Sequence, residues 1–414
     1  MDVIIIGAGI GGLTLALMLE RAGIPCRVFE AAPAIKPIGV GISLLPHATR
    51  ELCALGLEPA LAEVAITAKE SCFFNRFGQL VHREPVGRYA GYEWPQFQIH
   101  RGDLQAVLHR TFVARAGADR VVTGWRCTGV GEEGGAALAR FETFDTQEPL
   151  PPQRGRAVVA CDGIHSVVRK QLYPAEGDPI YSGVNMWRGV TRWPPYLTGA
   201  TYLRAGWLTT GKMVIYPIRD RIDAAGRQLV NWVAEIETPH YKKRDWNRPG
   251  NLADFIGAFA DWHFDWLDVP ALIRASDIVL EFPMVDQDPL PRWSFGGVTL
   301  LGDAAHPMYP RGSNGAGQAI LDARALADSL AATSDPAAAL QAYEAKRLEV
   351  TANVVRMNRK NPPDAILREV YLRTGDKPFR NIDEVISREE IMALSDGYKR
   401  IAGYDKQSLR STTS

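Results

Sequence analysis

The order of hydrophobic and polar positions at the start of the chain predicts a strand, a glycine turn and a helix. Residues 3–6 are an uninterrupted β-branched run, which is typical of a buried parallel strand. A glycine-rich turn at 7–12 follows, and apolar residues then recur with the spacing of a helix face. A second apolar run at 26–29 ends in Glu30. We therefore predict a βαβ unit at the N-terminus.

The glycine turn has the features of a dinucleotide-binding fingerprint. Gly7 permits the tight turn, Gly9 lets a pyrophosphate approach the backbone, and Gly12 brings helix and strand together. A helix beginning at Ile10 would direct its N–H groups and the positive end of its dipole to the anion. Glu30 lies at the spacing from which a carboxylate accepts the hydroxyls of an adenosine ribose, and it would repel a 2′-phosphate. The alternative is a purely structural βαβ unit.

A second glycine pattern, at 129–134, matches the same fingerprint in a different context. It lies between two strand-like runs, 120–128 and 136–144, and places Glu132 and Glu133 where a phosphate would bind. We predict a hairpin turn at this pattern.

Two later strands each bring an aspartate to their carboxyl end. The run 157–161 is followed by Asp162-Gly163, and the run 298–301 by Gly302-Asp303. Ligands of open parallel sheets bind at the carboxyl ends of strands, so both aspartates are candidate ligand contacts. The alternatives are a turn residue for Asp162 and a helix cap for Asp303.

Between residues 180 and 292 the pattern changes to short strands separated by turns. The predicted strands are 181–191, 200–203, 212–218, 228–236 and 278–282, with a helix at 252–259. They indicate a mostly antiparallel sheet with one face free for a ligand. The predicted C-terminal helices are a long one at 336–359, which ends before Asn361-Pro362-Pro363, one at 364–372, and one that starts with the capping box at Ser387.

Composition narrows the classes of partner. The chain of 414 residues has 47 basic and 47 acidic side chains and no run of like charge, so neither nucleic acid nor a membrane surface is an expected ligand. Five scattered cysteines without a C-x-x-C pair are typical of free thiols, and no signal peptide or long apolar stretch is evident, so we expect a cytoplasmic protein. His306 lacks partners at metal-binding spacing, so we predict no metal and interpret it as structural.

Together the motifs resemble the group A flavoprotein aromatic hydroxylases, the p-hydroxybenzoate hydroxylase class. The glycine fingerprint, the Asp162-Gly163 motif and the Gly302-Asp303 motif match that family in order. The segments 186–191, 229–233, 283–286 and 308–310 further resemble the branch that acts on N-methylphenazine carboxylate. This likeness runs over about residues 1–357 and leaves the chain beyond Asn361 without a counterpart.

The resemblance implies an α/β fold in which an FAD-binding Rossmann-like domain of the glutathione-reductase type is interleaved with a mostly antiparallel substrate domain. The implied FAD-binding segments are 1–70, 97–175 and 294–360, and the substrate segments are 71–96 and 176–293. Residues 361–414 form a C-terminal helical extension, which covers the active site, mediates dimerisation or packs on the FAD-binding domain.

The resemblance also implies the cofactor contacts. The residues assigned to FAD are Gly7, Gly9, Ile10, Gly12, Glu30, Val40, Gly41, Arg101, Asp162, Asp303, Gly315, Ala316 and Gly317. Arg101 would contact the pyrophosphate region, the loop 37–42 would lie beside the isoalloxazine ring, and helix N–H groups at 315–317 would face its N1–C2=O edge. The chain departs from many members by Ala160-Cys161 before Asp162 and by Gly317 where they have asparagine.

The aromatic content indicates where the substrate binds. Eight of the ten tryptophans lie between residues 187 and 293, and a pocket for a flat ring favours aromatic walls, although such residues also fill ordinary cores. The candidate substrate contacts are Trp187, Arg188, Tyr202, Tyr216 and Tyr309. Arg188 would hold a substrate carboxylate or form a structural salt bridge. Arg169 is the candidate contact for NAD(P)H.

By resemblance, the expected activity is hydroxylation of an aromatic or N-heteroaromatic substrate, including carboxylated ones. NADH or NADPH would reduce FAD, O₂ would form a flavin C4a-hydroperoxide, and no protein residue is assigned as catalytic because the flavin performs the chemistry. The alternatives are Baeyer–Villiger, epoxidising or oxidase activity on the same fold, or a flavin-free binding protein similar to the GDP-dissociation inhibitors. The expected partner is the small substrate alone, and the expected state is a monomer or homodimer.

Overall fold

The computed structural model describes residues 1–36, 39–238, 249–360 and 362–411. The strands within these ranges are β1 (Val3–Ile6), β2 (Cys26–Glu30), β3 (Gly41–Leu44), β4 (Ala65–Thr67), β5 (Glu70–Phe74), β6 (Leu80–Pro85), β7 (Phe97–His100), β8 (Val121–Thr123), β9 (Trp125–Glu133), β10 (Ala136–Thr143), β11 (Pro149–Gly155), β12 (Ala157–Ala160), β13 (Ile180–Trp193), β14 (Thr201–Trp207), β15 (Gly211–Arg219), β16 (Gln228–Glu237), β17 (His263–Phe264), β18 (Leu267–Asp268), β19 (Val279–Asp286), β20 (Ser294–Phe295) and β21 (Val298–Leu300). The helices are α1 (Ile10–Arg21), α2 (Pro46–Ala54), α3 (Glu58–Ala62), α4 (Arg101–Ala116), α5 (Val167–Leu172), α6 (Val269–Arg274), α7 (Gly315–Ala332), α8 (Pro336–Lys360), α9 (Ala365–Thr374), α10 (Arg388–Ala402) and α11 (Lys406–Ser411).

The first sheet has the strand order β20-β21-β12-β1-β2-β8. Strand β1 pairs in parallel with β2 and with β12, and β12 pairs in parallel with β21. All four residues of β1 and of β12 are buried, as their continuous apolar runs predict, and helices α1 and α7 pack in the same core. The predicted βαβ unit is confirmed, and its sheet is completed by strands from much later in the chain.

The second sheet has the order β19-β13-β16-β15-β14-β5-β6. Strand β5 pairs in parallel with β14, and the other neighbours are antiparallel. The five strands predicted in this region are confirmed. The predicted helix at 252–259 is wrong: two short 3₁₀ turns, Leu252–Asp254 and Ile256–Phe259, stand there, because Phe255 between them departs from helical dihedrals at φ −142°.

The hairpin predicted at the second glycine pattern is present, but its turn lies further on. Strand β9 continues through 129–133, and the chain reverses at Gly134 and Gly135, whose φ values are +57° and +76°. Two consecutive left-handed glycines suit the twist of a two-residue hairpin turn. Glu132 accepts a hydrogen bond from Gly297 N at 2.7 Å, so this carboxylate fixes the chain before β21.

The C-terminal extension packs against the second sheet. Ile366, Leu367, Val370, Ile386 and Ile391 form one buried cluster with Phe73 and Val81 of β5 and β6. Helix α8 has the predicted extent, although Asn361 lies outside the described residues, and α10 begins with the predicted capping box at Ser387. Within the described ranges, no helix is both long enough and apolar enough to cross a membrane.

Candidate cofactor and substrate site

The glycine loop, residues 7–12, is shaped by steric limits at two of its glycines. Gly7 has φ +99°, a conformation that side chains disfavour. A Cβ atom on Gly12 would lie only 2.1 Å from the carbonyl oxygen of Gly7, which is a steric clash. Only glycine at this position therefore allows α1 to start this close to β1. A Cβ atom on Gly9 would meet nothing within 4 Å, so the loop is open on that side.

Glu30 is fixed next to this loop. Its carboxylate accepts hydrogen bonds from the backbone N–H of Ala8 at 2.8 Å and of Ala32 at 2.9 Å. Gln105 of α4 donates from Nε2 to the carbonyl oxygen of Ala8 at 2.7 Å. The loop, the end of β2 and α4 thus form one connected unit. The contact from Gln105 was missed because nothing in the local pattern relates it to the fingerprint.

The described part of the loop 37–42 is held by the second sheet and by the start of α4, whereas Pro37 and Ile38 lie outside the described residues. Gly41 N donates to Asn231 Oδ1 at 2.7 Å, and the carbonyl oxygen of Gly41 accepts from Arg188 Nη2 at 3.0 Å. The carbonyl oxygen of Val40 accepts from Arg101 N at 3.0 Å, and the Arg101 side chain is exposed. The second sheet therefore sets the position of this loop through Asn231 and Arg188.

The two predicted aspartates differ in burial. Asp162 Oδ2 accepts from the backbone N–H of Val167 at 2.9 Å, while Oδ1 is buried and has no hydrogen-bond partner among the described residues. Burial raises the pKa of Asp162. Asp303 is exposed in a 3₁₀ turn and faces the start of α7, because its Oδ1 is 3.8 Å from the position of a Cβ atom on Gly315. Both carboxylates retain acceptor capacity.

Helix α7 starts at Gly315, and the described structure places its first turn over α2. A Cβ atom on Gly317 would lie 3.0 Å from His47 Nε2, so glycine at this position permits the close approach. His47 is buried, and burial lowers its pKa to about 3, so its imidazole is neutral. The departure from asparagine at Gly317 thus has a packing reason in this chain.

A buried ion cluster fixes α7 to α8 and to the segment that follows β21. His306 Nε2 is 2.5 Å from Asp322 Oδ2, and Arg347 Nε is 2.7 Å from Asp322 Oδ1. Burial alone would raise the pKa of Asp322, but the charges of His306 and Arg347 lower it overall. The contact to Asp322 supports the interpretation of His306 as structural.

The structure corrects the prediction for Arg169. Its side chain is 2 % exposed, and its guanidinium binds Glu176 and the carbonyl oxygens of Ala304, Ala305 and Asp288. These contacts use its donors inside the protein, so none is left to bind a dinucleotide at the surface. Arg169 instead ties α5 to the turn that carries Asp303.

The structure also corrects the prediction for Trp187. Adjacent residues of a strand point to opposite faces, and Arg188 faces the Gly41 loop. Trp187 therefore faces away, where it stacks on Phe255 with ring centroids 4.9 Å apart and is 4 % exposed. Its role is to pack the far side of the second sheet.

The opposite face of the second sheet brings the other aromatic candidates together. Tyr202 and Tyr216 stack with centroids 4.8 Å apart, and both belong to a buried cluster that includes Tyr309. Arg188 lies on the same face, and its Nε is buried without a partner among the described residues. Four of the five predicted substrate residues are thus on one face.

A cavity of about 770 Å³ opens beside Tyr202, and as the candidate substrate site it is called the substrate cavity below. Its aromatic walls within the described chain are Phe73, Tyr92, Tyr202 and Tyr404, and none of the described tryptophans lines it. Those tryptophans are bulky enough to be needed in the cores, and Trp232, Trp262 and Trp293 are completely buried there. Helix α10 contributes Met392, Ser395 and Lys399 to the lining of the cavity.

Arg204 is the cavity residue that sequence reasoning missed. Its guanidinium lies 4.4 Å from the ring centroid of Tyr202 and 5.0 Å from that of Phe73, and it donates to Ser71 Oγ at 3.0 Å. Arg204 follows Tyr202 by two residues on a strand, so alternation alone placed both on one face. That signal was available from the sequence.

The residues present fit FAD. The open side of the loop at Gly9 leaves room for a pyrophosphate next to the first N–H groups of α1, and the Glu30 carboxylate is fixed near by. Asp162 Oδ1 and Arg188 Nε are buried polar atoms without partners in the described ranges, and such atoms ordinarily meet a ligand or water. Both lie on segments that the family resemblance assigns to the site.

Comparison with known proteins identifies the family. The FAD binding domain family matches residues 1–184 and 282–358, more than half of the chain. The phenazine 1,6-dicarboxylic acid hydroxylase PhzS of Lysobacter antibioticus is 42 % identical over 362 residues, 86 % of this chain and 89 % of that protein. The 6-hydroxynicotinate 3-monooxygenase of Bordetella bronchiseptica is 30 % identical, over 90 % of this chain and 92 % of its own.

Solved structures agree in fold. HpxO of Klebsiella pneumoniae, crystallised with FAD and uric acid, superposes with a TM-score of 0.72 at 24 % identity, covering 100 % of this chain and 95 % of that one. The family predicted from the motifs is thereby confirmed, as is the fold class. The monooxygenase relatives also remove the alternative of a flavin-free binding protein.

Proposed function

The chain belongs to the FAD binding domain family and is an FAD-dependent monooxygenase that uses NAD(P)H and O₂, and on that premise we propose that it hydroxylates a carboxylated aromatic or N-heteroaromatic ring. The observation that carries the proposal is the substrate cavity with Arg204 in its aromatic wall. Its volume of about 770 Å³ lies in the range of small-molecule sites and suits a ring system of two or three fused rings.

The charges around the cavity favour an anion. Six basic side chains line it, Arg83, Arg204, Arg388, Lys399, Arg400 and Lys406, against the three acidic side chains Glu84, Asp396 and Asp405. Arg204 forms no ion pair with any described residue, and its planar guanidinium suits bidentate contact with a carboxylate. The names of the relatives, a phenazine dicarboxylate hydroxylase and a hydroxynicotinate monooxygenase, support the same substrate class.

Bound FAD would take a hydride from NAD(P)H and then activate O₂ for transfer of one oxygen atom to the ring. The chain itself would hold the cofactor through the glycine loop, Glu30, Asp162, Asp303, Arg101 and the start of α7. The Gly41 loop, clamped by Arg188 and Asn231, would keep the second sheet and the cofactor in a fixed relation. Tyr202 and Arg204 would line the substrate site together, and α10 would exclude water from the cavity.

The test measures coupled turnover. The purified yellow protein is assayed for NADH and NADPH oxidation with phenazine carboxylates, hydroxybenzoates and hydroxynicotinates, each paired with its analogue lacking the carboxylate. Mass spectrometry of products formed under ¹⁸O₂ separates hydroxylation from oxidase, Baeyer–Villiger and epoxidising outcomes. We expect one carboxylate to stimulate oxidation and to gain one ¹⁸O atom. Equal stimulation by the analogue without the carboxylate would contradict the proposed substrate class.

We further propose that the strands of the two sheets mark two interleaved domains with the boundaries given from the sequence, and that the enzyme acts in the cytoplasm as a monomer or homodimer. The origin of the first sheet from residues 3–30, 121–123, 157–160 and 294–300 supports the interleaving. Light scattering of the FAD-bound protein measures the oligomeric state. A tetramer would contradict this part of the proposal.

A further inference from the structure

We propose that Tyr398, on helix α10 of the C-terminal extension, is a positioning residue for the start of α7 and thereby for bound FAD. Its phenol lies inside the protein between α7, α8 and the loop 309–314. The proposal depends on FAD binding and not on the proposed carboxylated substrate, so the two can fail separately.

Tyr398 is a central member of a chain of buried hydrogen bonds with a single direction. Asn358 Nδ2 donates to the carbonyl oxygen of Tyr309 at 3.1 Å, and Tyr398 donates to Asn358 Oδ1 at 2.8 Å. Asn314 Nδ2 donates to the Tyr398 oxygen at 3.1 Å, which leaves Asn314 Oδ1 to accept from His47 Nε2 at 3.0 Å. Each group donates to the next, so the loss of one hydroxyl weakens the neighbouring hydrogen bonds of the chain.

The segment that this chain of bonds holds has an unfavourable backbone. Ser313 has φ +56° and Gly312 has φ +82°, both in the left-handed region, and Asn314 directly precedes α7. For serine this conformation is costly and persists where the surroundings impose it. A Cβ atom on Gly312 would be 2.0 Å from the Tyr398 oxygen, so the phenol occupies the space that a side chain at this turn would need.

The phenol acts as a neutral hydrogen-bonding group. Tyr398 is 2 % exposed, and burial raises its pKa well above its usual range. The ring is flanked by Tyr404, whose centroid is 6.4 Å away, and Tyr404 in turn lies 5.5 Å from the His47 ring under Gly317. The contacts from α10 therefore reach α7 on two sides, through Asn314 and through His47.

These contacts come from outside the segment that defines the family. The family match ends at residue 358, whereas Tyr398 lies in the extension beyond it. The same helix lines the substrate cavity with Ser395 and Lys399. The C-terminal extension thus connects the substrate wall to the turn that would face the flavin ring, which assigns it a role beyond packing.

The test is Tyr398→Phe in the full chain, with Tyr196→Phe as matched control. Tyr196 is also buried, and its hydroxyl donates to the carbonyl oxygens of Thr201 and Ile215 on the far side of the second sheet. The measurements are the FAD dissociation constant, the midpoint potential of the bound flavin and its visible spectrum. Asn358→Ala removes the acceptor of the same hydroxyl and serves as a second variant.

For Tyr398→Phe we expect the FAD dissociation constant to rise about five- to tenfold, the loss expected for one buried hydrogen bond with a stranded partner. The midpoint potential should fall, because a displaced α7 stabilises the anionic reduced flavin less. Asn358→Ala should change both in the same direction, and Tyr196→Phe should change neither. Two results would overturn the proposal. One is a Tyr398→Phe protein whose FAD dissociation constant stays within twofold of wild type and whose midpoint potential is unchanged within error. The other is a Tyr196→Phe protein that shows changes as large as those of Tyr398→Phe.

Discussion

The glycine loop and the substrate cavity are built by opposite means. The loop is determined mainly by backbone geometry within the first 32 residues, where Gly7, Gly12 and Glu30 leave few alternatives, and Gln105 adds one contact from α4. The cavity takes its walls from side chains between Ser43 and Lys406, on strands of the second sheet and on α10. A region fixed by steric limits tolerates little change, whereas a region assembled from separate elements can change one wall at a time.

The largest effect is expected at the glycine loop. Gly9→Leu should leave the FAD-free fold intact, because a Cβ atom there meets nothing within 4 Å, but should lower FAD affinity about 100-fold or more by filling the open side. Gly12→Leu should also destabilise the fold, since its Cβ would be 2.1 Å from the Gly7 oxygen. FAD titration and thermal unfolding of the FAD-free proteins separate the two. A yellow Gly9→Leu protein would contradict the fingerprint assignment.

In the substrate cavity the comparison predicts that a substitution weakens substrate binding and leaves FAD binding unchanged. Arg204→Met should raise KM for the carboxylated substrate about 10- to 100-fold, because it removes a half-buried charged donor. The FAD dissociation constant should stay within twofold, since Arg204 contacts Ser71, Tyr202 and Phe73 and not the glycine loop. Steady-state kinetics with the FAD-loaded enzyme gives both values. Arg400→Met at the exposed cavity rim is the control and should change KM much less.

The smallest effect on the reaction is expected where the extension is fastened to the second sheet. Lys212 is buried between Asp364 and Glu235, with 2.9 Å from Nζ to the Glu235 carboxylate. Asp364→Asn should lower the free energy of unfolding by about 1–3 kcal/mol at pH 7, because it leaves Lys212 with one carboxylate. FAD affinity should be unchanged. Denaturant unfolding of wild type and variant measures the difference.

The pH dependence of that difference has a defined sign. Burial alone would raise the pKa of Asp364, but Lys212 and Arg311 lower it to about 2. A depressed pKa in the folded state adds stability that is present above the unfolded value of about 4 and is lost as the pH falls toward 2. The difference between wild type and Asp364→Asn should therefore be constant from pH 5 to 8 and shrink below pH 4. Arg373→Gln breaks an exposed ion pair between α9 and α10. This variant should change neither the free energy of unfolding nor its dependence on pH.

The same contrast explains how much the sequence could predict. The strand, turn and helix around Gly7 and Gly12 were predicted because their causes are local and steric. The strands of the second sheet were also predicted, but the face on which Trp187 lies was not. The alternation of side chains along a strand separates two faces without saying which of them packs against the rest of the protein. The turn in place of a helix near Phe255 shows how burial under a sheet overrides a helical pattern.

The roles of Asn314 and Tyr398 were beyond local reasoning. Tyr398 meets Asn314 across 84 residues, and Ser395 meets Glu84 across 311. No periodicity or motif relates positions so far apart. Arg169 was assigned to a dinucleotide because it follows a ligand-binding motif, and only the packed structure shows that its donors face inward.

The strand order of the first sheet has a consequence for how the protein is made. Strand β1 leaves the ribosome first, yet one of its two parallel neighbours starts at Ala157, and the strand beyond that starts at Val298. At about 5–20 residues per second, β1 waits roughly 8–30 s for β12. During that interval an apolar β-branched segment has an unpaired edge, so nascent chains should depend on chaperones at least until β12 has been made.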